Sequence, residues 1–202
     1  MTSDEEEHLL QTIRVDKRAF GKVYDEFYAR IFKYVFRRTG DYDLSSDITA
    51  ETFLKAFVRI DKFEWRGISL SAWLYRIATN ETNYYFRKRK YQPQLLSNIK
   101  DFNAIALYSG ANDERENLER EQSALDAFNT IQQHLKSLDV KYQEVIALRY
   151  FEDKDNPSIS EILGKPEGTV KSLLSRGLEK LRQSVMKSAT GSQLQHYGYE
   201  TR

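Results

Sequence analysis

The fold is decided by residues 159–182, which read ISEILGKPEGTVKSLLSRGLEKLR. Gly164 suits the left-handed position that ends a helix. Pro166 cannot continue that helix but is tolerated at the start of the next one. The stretch therefore predicts a short helix, a tight turn at Gly164-Lys165-Pro166 and a longer second helix.

The second helix of this pair has two unlike faces. Apolar residues recur at helical spacing and are predicted to pack inward, namely Val170, Leu174, Leu178 and Leu181. The rest of the surface is short, polar and cationic, which suits the major groove of DNA. The candidate DNA-contacting residues are Glu167, Thr169, Lys171, Ser172, Ser175 and Arg176. A DNA-binding helix-turn-helix is one interpretation, and an ordinary helical hairpin with a solvated basic face is the other.

Composition narrows the possible functions. The chain has 202 residues, of which 40% are hydrophobic, enough for one domain or two small ones. It has no cysteine, which excludes disulfides, thiolate metal sites and cysteine nucleophiles. No apolar run approaches a membrane span, and the N-terminus is acidic rather than a basic signal sequence, so we expect a soluble cytoplasmic protein without membrane insertion.

Charge is distributed unevenly along a chain whose net charge is only +1. Residues 87–90 read RKRK, and residues 165–187 hold six basic against two acidic side chains. Residues 100–126, between these regions, hold three basic against seven acidic side chains. The distribution, rather than the total, favours a nucleic-acid partner.

The apolar pattern predicts an all-α protein with two small helical domains joined by a flexible linker, the C-terminal domain being the helix-turn-helix. Residues 1–15 are predicted to be an acidic leader with at most a partial helical turn. In residues 16–92, one helix ends at Gly40 and another begins near Ser46, with Phe53 and Phe57 inside. Three ranges complete the division: the linker 93–122, the second domain 123–187 and a loop-like tail 188–202.

Three segments resemble the small extracytoplasmic-function (ECF) type of bacterial RNA polymerase sigma factor. Residues 47–57, DITAETFLKAF, are similar to the polymerase-binding stretch, and residues 63–89 to the promoter −10 reader. Residues 148–152 and 161–172 are similar to the −35 reader. The resemblance implies that residues 16–92 correspond to sigma region 2 and residues 123–187 to region 4. It also implies a factor that binds core RNA polymerase, reads both promoter elements and helps open the DNA.

The resemblance and the chemistry of strand opening together assign candidate residues. Unstacked bases need aromatic and hydrogen-bonding groups, and the DNA backbone needs a cationic groove. The −10 candidates are Trp65, Arg66, Ser69, Asn80, Tyr84, Tyr85, Arg87, Lys88 and Arg89. The candidates for polymerase contact are Asp47, Glu51, Phe53 and Leu54. Packing in the core is an equal alternative for Trp65 and Tyr85. The implied partners are core RNA polymerase, promoter DNA and an anti-sigma factor, with no metal or cofactor.

The chain departs from the family pattern at several positions. Ala50 stands where a Gln is usual, Thr79 where an Arg is common before Asn80, and Leu173 where an Arg is common. Tyr84 replaces a usual Asp. Residues 153–155, Asp-Lys-Asp, replace a customary Gly-Leu-Ser. These departures leave the class intact and bear on which promoter is read.

Other functions have less support. A free-standing helix-turn-helix regulator would account for the C-terminal domain but leave residues 47–57 and 73–87 without a purpose. An enzyme is disfavoured because the three histidines are scattered and no phosphate loop or nucleophile elbow is present. The Asp41-x-Asp43 pair resembles a calcium loop but lacks the glycine and glutamate that such a loop requires, so helix-start carboxylates are the better interpretation.

Overall fold

A computed structural model describes residues 3–63, 68–90 and 130–196. Within these ranges the chain forms helices and turns and no strand, which confirms the all-α prediction. The predicted linker 93–122 lies outside the described residues. So do residues 197–202 at the end of the predicted tail.

The N-terminal leader is a helix, α1 (Ser3–Val15), followed by a 3-10 turn over Lys17–Phe20. The prediction of at most a partial helical turn is wrong. Three apolar residues, Leu9, Leu10 and Ile13, share one buried face of α1 and belong to the main core. The acidic residues that suggested an exposed leader lie in the first turn of α1, where carboxylates stabilise a helix through its dipole.

Helices α2 (Gly21–Thr39) and α3 (Tyr42–Arg59) pack side by side. Gly40 ends α2 in the left-handed conformation at φ 61°, as predicted. The predicted start of α3 near Ser46 is wrong by four residues, because the Asp41 side chain accepts a hydrogen bond from the Leu44 N–H at 3.0 Å and caps the helix earlier.

Helix α4 (Leu70–Lys90) packs against α2 and α3 and closes the first domain. The core of this domain contains Val23, Ile31 and Leu74, each with no exposed surface. Phe57, predicted to lie inside, is 37% exposed and meets the ring of Phe20 edge-on at 5.3 Å.

The second domain begins, within the described chain, at a helical segment over residues 130–136, α5. It continues through α6 (Val140–Ile146), a π turn (Ala147–Phe151), α7 (Asn156–Leu163) and α8 (Glu167–His196). In the π turn the Glu152 N–H donates to the Ala147 carbonyl, five residues back, at 3.2 Å. Asp153 follows with φ 48°, a left-handed conformation that few residues other than glycine adopt.

Helix α8 extends beyond the helix-turn-helix to His196, so the prediction of a loop-like chain from Ser188 is wrong through that residue. Leu178, predicted to point inward, is 37% exposed. Helices α6 and α8 approach closely at Gly177, where an added Cβ would lie 3.1 Å from Ile146 Cδ1. His134 lies against the later part of α8, with Nδ1 2.8 Å from the Ser184 hydroxyl.

Candidate nucleic-acid and polymerase interfaces

The helix-turn-helix forms as the spacing of Gly164 and Pro166 predicts. The Asp155 side chain accepts from the Ser158 N–H at 2.9 Å and caps α7. Gly164 ends α7 at φ 62°, and α8 begins at Glu167. Val170 is fully buried and Leu174 is 9% exposed, so the inner face of α8 is anchored at two positions.

The outer face of α8 is open to solvent. All six −35 candidates are exposed: Glu167, Thr169, Lys171, Ser172, Ser175 and Arg176. Since these residues occupy the first three turns of a well-anchored helix, the face can approach the edges of bases in a major groove. Hydroxyl and cationic groups can then donate hydrogen bonds to guanine O6 and N7 or to phosphate.

The −10 candidates lie along α4, on a less uniform surface. Asn80 is exposed, Tyr84 is 57% exposed, and Tyr85 is half-buried against the core. Arg87 and Lys88 are exposed at the C-terminal end of α4. Trp65 and Arg66 lie outside the described residues, as does the side chain of Arg89.

Ser69 stands immediately before α4 and is half-buried. Its Oγ accepts a hydrogen bond from the Ala72 N–H at 3.1 Å, so Ser69 is the N-terminal cap of α4. The hydroxyl proton is left to donate to another group, such as a base edge. The structure therefore gives Ser69 a structural contact, and its hydroxyl keeps the capacity to donate.

A buried polar network supports α4 from behind. The Tyr34 and Thr79 hydroxyls are 2.8 Å apart, and Arg38 Nη1 donates to the Tyr34 hydroxyl at 3.2 Å. Arg38 has no exposed surface and also donates from Nη2 to Asn83 Oδ1 at 2.6 Å. Asn83 in turn donates to Glu144 of the second domain at 3.0 Å. Sequence patterns missed Arg38, since an arginine on an amphipathic helix is normally assigned to the solvated face.

One contact between the domains is centred on Glu152, whose side chain is 8% exposed. Its carboxylate accepts from Arg37 Nη1 at 2.7 Å and from the Tyr75 hydroxyl at 2.6 Å. Burial raises the pKa of Glu152, although the hydrogen bonds from Tyr75 and Arg37 act in the opposite direction. Lys154, beside this group and over the Tyr75 ring, has a pKa lowered by burial.

A second contact joins α4 to the turn of the helix-turn-helix. The Arg76 guanidinium donates to the backbone carbonyls of Glu161 and Ile162 at the end of α7. A cleft of about 270 Å³ lies beside it, between Asn80 on one wall and Lys165 on the other. Asn80, one of the −10 candidates on α4, therefore borders this cleft against the second domain.

The candidate polymerase surface lies on α3. Asp47 and Glu51 are exposed, and Leu54 is 57% exposed. Phe53 is only 3% exposed and packs against the ring of Tyr24 at 5.1 Å, so it supports this surface from beneath and is not available for direct contact. Val58, 63% exposed and one turn after Leu54, extends the apolar part of the surface and was not singled out from the sequence.

The part of the chain that the structure describes contains neither a group of side chains suited to a metal ion nor a helix suited to span a membrane. No three histidine or acidic side chains there are grouped closely enough to hold a metal ion. Over the same residues, no helix combines the length and apolar character that crossing a bilayer requires.

Comparison with known proteins decides the family. The sequence model of sigma-70 region 2 matches residues 23–91, and that of sigma-70 region 4 matches residues 128–181. The ECF RNA polymerase sigma factor SigW of Bacillus subtilis is 35% identical over 175 residues, which are 87% of this chain and 93% of SigW. The chain belongs to the ECF sigma factors of the sigma-70 family. It is an RNA polymerase-binding, promoter-specific initiation factor, in a family of transcription factors that are not enzymes.

Solved structures show the same fold. CnrH in complex with the cytosolic domain of CnrY has a TM-score of 0.62 at 21% identity, covering 88% of this sigma factor and 95% of that chain. The sigma factor RpoE of Bartonella quintana, in complex with the anti-sigma factor NepR, has a TM-score of 0.61 at 22% identity, covering 83% and 96%. The match to region 2 disfavours a free-standing regulator, because such a protein would not need the first domain.

Proposed function

We propose that this sigma factor reads the −35 element with the exposed face of α8 and the −10 element with Ser69, Asn80 and the aromatic and basic residues that follow on α4. The observation that carries the −35 assignment is the exposure of all six α8 candidates above a buried Val170. Asp47, Glu51 and Leu54 on α3 form the surface for core polymerase. The factor acts in the cytoplasm, where the promoter lies, and any catalysis belongs to the polymerase.

Reading both promoter elements at once requires the two domains to separate. The elements lie about 25 base pairs apart, or about 85 Å along B-form DNA. A compact chain of this length has a radius of gyration of about 17 Å and is about 45 Å across. The contacts of Glu152 and Arg76 therefore describe a closed arrangement, which must open on the promoter. A chain of the length of residues 91–129 can reach at most about 140 Å, enough to connect the opened domains.

An anti-sigma factor is the expected regulatory partner. Two solved proteins of the same fold support this expectation. RpoE of Bartonella quintana is in complex with the anti-sigma factor NepR, and CnrH is in complex with the cytosolic domain of CnrY. The surface such a partner would cover includes the exposed apolar residues of α3, Leu54 and Val58, because polymerase binding uses the same surface.

The direct test is run-off transcription on fragmented genomic DNA, with core polymerase in the presence and absence of this protein. We expect defined new starts only when both are present, and the aligned starts give the −10 and −35 sequences. A double variant, Lys171→Ala with Arg176→Ala, should lose dependence on the −35 sequence while still binding core polymerase. Retardation of DNA by the protein alone, with no new start, would overturn the proposal.

A further inference from the structure

Helix α1 buries a carboxylate together with its apolar face. Glu6 is 6% exposed and shares that face with Leu10 and Ile13. A glutamate is seldom buried unless it is paired, because removing a charge from water is costly. The partner of Glu6 is the backbone N–H of Leu70, which donates to Glu6 Oε2 at 3.1 Å.

Leu70 is the first residue of α4, and its N–H has no partner within the helix. The Glu6 carboxylate supplies that partner and also lies at the positive end of the α4 dipole. A second donor of the first turn, the Ala72 N–H, is bound by Ser69 Oγ. Glu6 and Ser69 therefore share the capping of α4, and moving Leu70 would also move Ser69.

Helix α1 also holds the chain before the α3–α4 connection. Arg14 Nη2 donates to the Phe63 carbonyl at 3.3 Å, and Phe63 is 6% exposed with its ring 4.8 Å from that of Trp73. Phe63 and Leu70 flank the connection that leads into the −10 candidates of α4. One helix thus contacts both ends of this connection, from residues that precede the region 2 match at 23–91.

We propose that Glu6 and Arg14 are positioning residues for −10 recognition, which set the place of Ser69 and the first turn of α4 without touching DNA. This inference rests on the proposed function of Ser69 in reading the −10 element. Glu6 carries the larger effect because it is buried, whereas Arg14 is mainly exposed.

The test uses the holoenzyme on the promoter mapped by run-off transcription. Transcript from the native promoter is divided by transcript from a version with one −10 base replaced, and the same ratio is measured for a −35 replacement. Because each ratio compares two promoters at the same amount of active protein, a loss of folded factor does not change the ratio. The variants are Glu6→Ala, Glu6→Gln, which keeps an acceptor for Leu70, and the matched control Glu7→Ala, which removes a neighbouring exposed charge.

We expect Glu6→Ala to lower the −10 ratio by about tenfold, within the range that one base contact supplies, and to leave the −35 ratio within about twofold. Glu6→Gln should recover most of the −10 ratio, and Glu7→Ala should match the wild type. A wild-type −10 ratio for Glu6→Ala would overturn the proposal, and so would an equal fall in both ratios. A failure of the proposed function can be told apart from a failure of the Glu6 proposal, because the wild-type factor would then give no polymerase-dependent start.

Discussion

Replacing Glu152 by alanine should open the closed arrangement of this sigma factor. The variant leaves Arg37 and the Tyr75 hydroxyl without the carboxylate that joins them, which lies 2.7 and 2.6 Å from its two donors. In the opened protein both donors can turn to water. The change therefore destabilises the closed form selectively and leaves the core of each domain intact.

The magnitude follows from the burial of the two charges. Removing one partner of a buried ion pair costs about 3–5 kcal/mol. The Arg37 side chain is 27% exposed and can be partly rehydrated, whereas that of Glu152 is 8% exposed, so we expect about 2 kcal/mol. That free energy lowers the ratio of closed to open molecules about thirtyfold.

Energy transfer between two dyes measures this ratio directly. The chain has no cysteine, so Lys33→Cys in α2 and Arg182→Cys in α8, both exposed positions, give specific attachment sites. Glu161→Ala is the matched control, since it removes an exposed carboxylate from the same domain and keeps the backbone carbonyl that Arg76 contacts.

We expect the population with high transfer efficiency to shrink in Glu152→Ala and to persist in Glu161→Ala. Transcription at limiting sigma factor should also rise in Glu152→Ala if opening limits promoter binding. An unchanged transfer distribution in Glu152→Ala would refute the claim that this carboxylate holds the domains together.

Three further predictions concern pH, backbone conformation and DNA affinity. Because burial raises the pKa of Glu152 above its ordinary 4.5, protonation favours the closed form. This stabilisation is complete below the ordinary pKa and is lost as pH rises through the raised pKa, so the closed fraction should fall as pH rises above the ordinary value. Glu152→Gln should remove that dependence, and an opposite slope would contradict it. Asp153→Gly relieves a left-handed residue at φ 48° and should raise the melting temperature by about 2–4 °C per kcal/mol gained, up to about 1 kcal/mol, as calorimetry would measure; a lower melting temperature would argue against strain at this position. Lys171→Ala should reduce the salt dependence of −35 DNA binding by about one counterion if the side chain contacts phosphate, whereas an unchanged slope with altered base preference would assign it to a base.

The helix-turn-helix could be predicted because its signals are local. Gly164 and Pro166 mark the turn, and Val170 and Leu174 mark the buried face, so four residues within one short stretch suffice. Phe53 illustrates the limit of the family resemblance, which placed it on the polymerase surface although its helical phase places it in the core.

The contact between the domains could not be predicted in the same way. It joins Arg37 to Glu152, 115 residues apart, and both are polar residues that a helical pattern assigns to solvent. The burial of Arg38 depends likewise on its hydrogen bond to Asn83, 45 residues later in the chain, to which no spacing rule connects it. Helix α1 was missed for a related reason: its few apolar positions are outnumbered by charges, and two of those, Glu6 and Arg14, bind groups more than 40 residues away.

The π turn at Ala147–Phe151 sets the direction in which Glu152 points. A turn closed by a bond to the fifth preceding residue holds one residue more than a regular helical turn, and each residue of an α-helix advances by about 100°. The turn therefore changes the angular position of Glu152 relative to α6, so that its carboxylate points towards Arg37 and Tyr75 of the other domain. Deleting one residue here would rotate the carboxylate away from Arg37 without altering any buried side chain of α6, so the length of this turn, and not only its composition, governs how the two halves of the factor communicate.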